Sequence, residues 1–144
     1  MLNLKDVALL RQRVYVGGKW LPARSGQTLQ ILDPASGQRI GSVPSCDEQD
    51  VRTAIHAAQA ALAAWSAMSA HVRAALLRKW HDLMLEHADD LALLMTLEQG
   101  KPLAEAKAEI LYGASFVRSS SGLRRKASAP MARRYRRRNR DVAF

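Results

Sequence analysis

The spacing of apolar positions changes once along this chain, near Pro44. Before Pro44 the apolar residues form short β-prone runs broken by glycine and turn residues, and after it they recur every three or four residues. Alternation is the period of a strand, whereas a repeat of three to four residues marks the buried face of a helix. The pattern predicts an α+β arrangement in which N-terminal β-hairpins are followed by about four helices.

Two antiparallel hairpins are predicted before Pro44. Gly17-Gly18 separates the first two runs, and glycine tolerates the positive φ that a tight hairpin turn requires. Residues 33–37 supply aspartate, proline, serine and glycine between the second two runs. The predicted strands are residues 14–16, 19–21, 28–32 and 39–43. A short helical pattern precedes them in residues 1–13, formed by Leu2, Leu4, Leu9 and Leu10.

The four predicted helices follow Pro44. The first spans about residues 46–66, and Ser45 with Glu48 has the spacing of a capping box. Ser69 caps the second helix, and Asp89 or Asp90 starts the third. Gly100 ends the third, and the fourth runs from Lys101-Pro102 to near Phe116.

The helical spacing also predicts which side chains are buried. The predicted buried faces are Val51, Ala54, Ile55, Ala58, Leu62 and Trp65 in the first helix; Val72, Leu76, Leu77, Trp80, Leu83 and Met84 in the second; Leu91, Leu94 and Met95 in the third; and Leu103, Ala106, Ile110 and Ala114 in the fourth. These faces are the expected core of the helical part.

The charge is concentrated at one end of the chain. The formal net charge is +9 and the pI is about 10.4. Residues 1–116 contain twelve lysines and arginines and twelve acidic residues. Residues 117–144 contain ten lysines and arginines and one acidic residue. The excess of nine positive charges therefore lies in the last segment, and the chain divides into a neutral body and a basic tail.

Few residues of the body are candidates for chemistry. Cys46, the single cysteine, cannot form an intramolecular disulfide and fits a reducing compartment, and we interpret it as a small packed side chain. The histidines at 71, 81 and 87 lack the i, i+4 spacing of a metal pair. The acidic pair Asp89-Asp90 is interpreted as the start of a helix. Glu105 and Glu109, four residues apart on a helix face, are interpreted together with Lys101 and Lys107 as ordinary surface charge.

No motif in the body supports a cofactor or an active site on its own. Neither a G-x-G-x-x-G nor a phosphate-loop pattern is present, and no catalytic, cofactor-binding or metal-binding residue is assigned. No run of eighteen apolar residues and no signal peptide is seen, so no membrane partner is expected and the localisation is expected to be cytoplasmic.

Several stretches of the body resemble the NAD(P)-dependent aldehyde dehydrogenases, most closely their succinate-semialdehyde dehydrogenase branch. The most specific stretch is residues 95–110, MTLEQGKPLAEAKAEI. Residues 15–20 (YVGGKW), 33–44 (DPASGQRIGSVP), 54–110 and 112–117 (YGASFV) carry the rest of the resemblance. It implies that residues 1–117 are the N-terminal part of the family's larger α/β cofactor-binding domain.

The resemblance also implies what the full-length family does. Its members oxidise a small aldehyde, here succinate semialdehyde or a similar one, with NAD or NADP, and form homo-oligomers. A thiolate attacks the aldehyde, hydride passes to the nicotinamide, and a glutamate-activated water hydrolyses the thioester. The family's cofactor segment, glutamate and cysteine lie downstream of the part that this chain matches, and Cys46 lies far too early to be that cysteine. The chain is therefore expected to be inactive alone and to bind no cofactor.

The basic tail, residues 118–144, has two interpretations. In a neighbouring reading frame, with suitable synonymous codons, residues 120–139 read E-W-F-A-E-E-G-K-R-x-Y-G-E-T-I-P-A-P-Q, which resembles the family's continuation. A frameshift would make this tail an out-of-frame, disordered segment. Alternatively, the arginine-rich segment 124–140 binds nucleic acid nonspecifically through its charge.

Overall fold

The computed structural model describes residues 3–123. Within this range the elements, in chain order, are the strands β1 (Val14–Val16), β2 (Lys19–Leu21), β3 (Thr28–Leu32) and β4 (Arg39–Pro44), and the helices α1 (Glu48–Ala67), α2 (Ala70–Glu86), α3 (Ala88–Gln99) and α4 (Leu103–Leu123). The predicted order of hairpins and helices is confirmed.

The two predicted hairpins are present as separate two-stranded sheets. In the first, Val14 pairs with Leu21 and Val16 pairs with Lys19. Gly17 and Gly18 form its turn with φ values of +56° and +82°, the left-handed region that glycine enters without the clash of a Cβ. In the second, β3 and β4 pair antiparallel with an irregularity between Ile31 and Leu32.

The helix suggested in residues 1–13 is not formed in the part that the structure describes. Between residues 3 and 13 only Val7–Leu9 is helical, as a 3₁₀ turn capped by the side chain of Asp6, which accepts the backbone N–H of Ala8. A pattern of this length cannot offset the cost of nucleating an α-helix. The segment is instead held by contacts with α3, and Leu4 is buried there.

The cap of α1 differs from the predicted one. Asp47, not Ser45, is the N-cap: its carboxylate accepts the N–H of Asp50 at 3.0 Å, and the Asp50 carboxylate accepts the N–H of Asp47 at 3.1 Å. The D-x-x-D spacing gives the same reciprocal cap as S-x-x-E. Because Asp47 is the N-cap, the helix begins at Glu48. Arg24 stabilises this cap through an ion pair with Asp47 at 2.6 Å.

The boundaries of the other helices follow the predictions except at the start of α3 and the end of α4. Ser69 caps α2 by accepting the N–H of Val72, and Gly100 ends α3 with a φ of +72°. The third helix starts at Ala88, so Asp89 and Asp90 lie in its first turn rather than at its cap. The fourth helix continues to Leu123, beyond the end predicted near Phe116, while residues 124–144 lie outside the described part of the chain.

The core of the described residues is small and consists mainly of alanine. Ala88, Ala92, Ala106 and Ala114 are buried where α2 and α3 pack against α4. Within residues 3–121 no large side chain is fully buried. Alanine at these positions lets the helices approach closely, but buries little apolar area.

Much of the predicted apolar surface is not buried in this chain. Val51, Ile55 and Leu62 of α1, predicted to be core, are exposed, and so is Leu103 at the start of α4. On α2 the exposed stripe consists of Val72, Leu76, Trp80 and Leu83, and we call it the α2 stripe. The spacing identified one face of each helix correctly as apolar, but the elements that would cover these faces are not among the described residues. In residues 3–123 no helix is long and apolar enough to cross a membrane.

Candidate functional site

The first cluster of charged residues lies where the N-terminal segment meets α3. The carboxylate of Asp90, 5% exposed, accepts the backbone N–H of Lys5 at 3.0 Å and that of Asp6 at 2.8 Å. These two hydrogen bonds hold the pKa of Asp90 below its ordinary value, because they stabilise the ionised form. Asp90 therefore does more than start a helix, because its carboxylate anchors the backbone of the N-terminal segment.

Asp89 makes a second, exposed set of contacts at the same place. Its carboxylate pairs with Lys107 of α4 at 2.6 Å and with Lys5 at 3.2 Å. The hydrogen bond from Lys107, followed by that from Lys5, lowers the pKa of Asp89. We call Lys5, Asp6, Asp89, Asp90 and Lys107 the N-terminal clamp. Its exposed pairs contribute little stability, and the buried carboxylate of Asp90 carries most of the anchoring.

A groove of about 670 Å³ lies beside the clamp. Its lining combines clamp residues with apolar side chains of α3 and α4, among them Leu93 and Leu103. The groove contains charged groups that are already paired with one another. It offers no nucleophile next to a base, so the arrangement is that of a structural joint rather than of a reaction centre.

The second feature is a buried arginine at the junction of α1 and α2. Arg73, 9% exposed, donates from Nη1 to the carbonyl oxygens of Trp65 at 3.3 Å, Ser66 at 3.2 Å and Met68. These carbonyls belong to the C-terminal end of α1, where free oxygens carry the negative end of the helix dipole. A guanidinium there stabilises the end of α1 and fixes the turn into α2. The sequence pattern gave no indication of this role.

The three histidines that were considered as metal ligands have different surroundings. His81 is buried and its Nδ1 lies 2.8 Å from the Asp82 carboxylate, whereas His71 is exposed. His87 forms the junction between α2 and α3. Over residues 3–123, no three side chains of histidine, cysteine, aspartate or glutamate are gathered as metal ligands would be.

Cys46 does not occupy the packed position that we expected. It is exposed, one residue before the cap of α1. The interpretation of Cys46 as a packed small side chain is wrong.

Comparisons with known proteins identify the family of this chain. The model of the aldehyde dehydrogenase family matches residues 20–142, most of the chain. The chain belongs to the aldehyde dehydrogenase family. The chain is 54% identical over 116 residues to glutarate-semialdehyde dehydrogenase of Pseudomonas putida and 53% identical over 116 residues to the NADP⁺ succinate-semialdehyde dehydrogenase of Escherichia coli. Each match covers 81% of this chain and 24% of the relative.

A solved structure agrees with these relatives. The crystal structure of succinate-semialdehyde dehydrogenase from Burkholderia pseudomallei superimposes with a TM-score of 0.79 at 51% identity, over 81% of this chain and 24% of that one. This aldehyde dehydrogenase chain thus spans about a quarter of the length of the proteins it matches. The expectation that it is an N-terminal α+β part of the family's larger domain is confirmed.

The comparisons also explain the exposed apolar faces of this aldehyde dehydrogenase segment. Helices that present apolar stripes ordinarily bury them against another layer of secondary structure. The relatives have roughly three further quarters of chain to form such a layer, whereas the helices of the described residues pack mainly through the contacts of α2 and α3 with α4. The stripes of α1 and α2 are accordingly those of a domain of which this chain provides one part.

Proposed function

We propose that this chain is the N-terminal segment of an NAD(P)-dependent semialdehyde dehydrogenase and is inactive alone. The whole enzyme would oxidise succinate semialdehyde, or a similar short aldehyde, to the acid. The identity of 53 to 54% to two semialdehyde dehydrogenases, over 81% of this chain, is the observation that carries the proposal. Homo-oligomerisation, the choice of NAD or NADP and a cytoplasmic localisation are proposed for the whole protein on the same basis.

The described residues support a scaffolding role within that enzyme. The reaction needs an activated thiolate, a general base and a site for the nicotinamide. Cys46 is exposed with no histidine bonded to it, and neither the N-terminal clamp nor Arg73 offers a group in position to accept a substrate proton. What this segment supplies is a set of helices joined by buried polar contacts, on which the downstream parts would pack.

A chimeric enzyme tests the proposal directly. Residues 1–117 of this chain would replace the matching N-terminal quarter of the Escherichia coli relative, and NADP⁺ reduction by succinate semialdehyde would be measured. We expect kcat/KM within about tenfold of the parent enzyme, because a cost of ~1.4 kcal/mol accommodates a modest mismatch at the new interface. A folded chimera without turnover would contradict the proposed role of the segment.

The isolated chain provides the complementary measurement. We expect no NAD(P)-dependent oxidation of succinate semialdehyde by the 144-residue chain. Turnover that a thiol reagent abolishes would show that the chain has its own nucleophile and would refute the proposed inactivity. A second chimera that carries residues 1–144 is the matched control: we expect it to be inactive, because the basic tail would replace the family's continuation.

The origin of the tail is a separate proposal. We infer that residues 118–144 are translated out of frame, because the neighbouring frame reads like the family's continuation. Resequencing the gene from the codon for Ala104 past that for Phe144 tests this. A long shifted frame that contains the family's glutamate and cysteine would support the frameshift. If no such frame follows, the tail must be explained as protein.

Nonspecific nucleic-acid binding is the second candidate, and the charge of the tail favours it. Nine arginines and a lysine in residues 118–144 would displace counterions from a phosphate backbone. Binding of random-sequence DNA should then weaken steeply with salt and disappear when residues 118–144 are removed. Binding that survives this deletion would place the contact elsewhere in the chain.

A further inference from the structure

Two neighbouring rows of side chains run along α2, and only one of them is covered. The rows are offset by one residue, which places them about 100° apart around the helix. Met84 of the covered row lies beside Gly113 of α4. The covered row, buried or half-buried, is Arg73, Leu77, His81 and Met84, and the exposed row is the α2 stripe, Val72, Leu76, Trp80 and Leu83.

The α2 stripe is not the side of the helix that faces water by composition. The exposed charged residues Arg78 and Asp82 lie on the remaining side of α2. A helix with a single neighbour needs one apolar stripe, whereas α2 carries two apolar or buried rows and a separate charged side. Because α2 packs mainly against α4 in the described residues, the α2 stripe has the character of a second packing face.

Helix α1 lacks a neighbour even more clearly. It is 20 residues long and has no buried residue, and Val51, Ile55 and Leu62 on its apolar face are exposed. Its main contact among the described residues is with β1. Since most of the stability of a helix in a protein comes from packing of its apolar face, α1 and α2 share the same unmet requirement.

The length of the relatives indicates what covers these faces. The match to the Escherichia coli semialdehyde dehydrogenase covers 81% of this chain but 24% of that protein. The solved Burkholderia pseudomallei enzyme superimposes on the same share with a TM-score of 0.79, so the arrangement of this segment is retained in a protein with three further quarters of chain. Those further quarters are the partner that the comparisons supply.

We infer that the α2 stripe and the exposed face of α1 form a docking surface for the downstream three quarters of a semialdehyde dehydrogenase, and that this chain binds that part even when the two are separate polypeptides. The inference rests on the proposed function, because it takes the partner from the same enzymes. It adds that the covalent connection is not needed for the two parts to associate.

Co-expression tests this docking. The tagged 144-residue chain would be produced together with the Escherichia coli relative that lacks its matched N-terminal quarter, and both would be followed through affinity purification at high salt. We expect the chain to bring the truncated relative into the soluble fraction and to retain it in a 1:1 complex. A truncated relative that stays insoluble, or that is soluble but not retained, would overturn the inference.

Two variants locate the contact. Trp80→Glu places a charge in the middle of the α2 stripe and should reduce retention by about tenfold or more, because a desolvated aromatic side chain often dominates an interface. Ala75→Glu adds the same charge to an exposed position of α2 outside the stripe and should leave retention almost unchanged. Equal retention of the two variants would contradict docking on the α2 stripe.

The complete Escherichia coli relative provides a control that needs no substitution in this chain. Its own N-terminal quarter already occupies the docking position, so the tagged chain should not retain it. Retention of the complete and the truncated relative to the same extent would place the contact on another surface and refute the inference, whether or not Trp80→Glu folds. The chimeric enzyme tests the proposed function independently: an active chimera without retention in trans would refute the docking alone.

Discussion

The side chain of Asp90 accepts the backbone N–H of Asp6 at 2.8 Å, across 84 positions of sequence. Together with the N–H of Lys5, this contact anchors the N-terminal segment to the first turn of α3. A carboxylate can accept both N–H groups at once, whereas an amide can accept with only one of its two terminal atoms. The N-terminal segment therefore depends on the charge and on both oxygens of Asp90.

Replacement of Asp90 by asparagine should release this segment. The amide NH₂ of Asp90→Asn would face a backbone N–H, so one donor loses its partner. We expect hydrogen exchange at Lys5 and Asp6 to accelerate by about tenfold or more, the factor that corresponds to one lost charge-assisted hydrogen bond. Asp89→Asn is the matched control, since it removes only exposed ion pairs. Equal exchange rates in the two variants would contradict the anchoring role of Asp90.

The same contact predicts a dependence on pH. The pKa of Asp90 is lowered in the folded chain, so its stabilising effect is complete above the ordinary aspartate pKa of about 3.9 and is lost as the pH falls through the folded value. The urea midpoints of the wild type and Asp90→Asn should thus differ at pH 6, and the difference should shrink as the pH falls below about 3.9. A difference that grows on acidification would mean that the carboxylate is not held in its ionised form.

Gly100 should be less tolerant of alanine than Gly26, although both have a positive φ near +70°. A Cβ at Gly100 would lie 3.0 Å from Cγ of Pro34, whereas a Cβ at Gly26 would meet nothing within 4 Å. The left-handed conformation alone costs about 1–2 kcal/mol for a residue with a Cβ. Urea unfolding should show that loss for Gly26→Ala and a larger one for Gly100→Ala. Equal losses would show that the loop of Pro34 moves aside freely.

The close approach of α4 to its neighbours depends on small side chains. Ala106 is fully buried, whereas Ala108, two residues along the same helix, is exposed. Ala106→Leu should reduce the free energy of unfolding by about 1–3 kcal/mol, because the packed helices must separate to admit it. Ala108→Leu has the same helix propensity change without the overpacking, and should leave stability almost unchanged. A stable Ala106→Leu variant would mean that the alanine contact is loosely packed.

The sequence predicted those features that depend on local patterns. Gly17-Gly18 identified a hairpin because its turn requires a positive φ, and Ser69 and Gly100 marked helix ends because capping is a local interaction. Asp90 could not be recognised in the same way, since its partners are backbone groups 84 and 85 positions away. Arg73 was missed for a related reason, because a backbone carbonyl as partner leaves no signal in residue types.

Burial was predicted less well than helical structure. The stripe of α1 has the right period, yet Ile55 and Leu62 are exposed because periodicity shows which face is apolar but not what covers it. The N-cap of α1 was also predicted at the wrong residue. The S-x-x-E pattern of residues 45–48 overlaps the D-x-x-D pattern of residues 47–50, and the ion pair from Arg24 to Asp47 favours the D-x-x-D cap. That ion pair could not be read from the local sequence.

The exposed α2 stripe predicts self-association of the isolated chain. Trp80 is 56% exposed and lies beside Leu76 and Leu83, so water contacts a continuous apolar surface that favours aggregation. Trp80→Glu should raise the protein concentration at which light scattering first increases. Ala75→Glu adds the same charge to the same helix away from the stripe, and should have a smaller effect. If both variants shift the onset equally, added charge rather than loss of the apolar surface explains the gain, and the α2 stripe is not the surface that drives association.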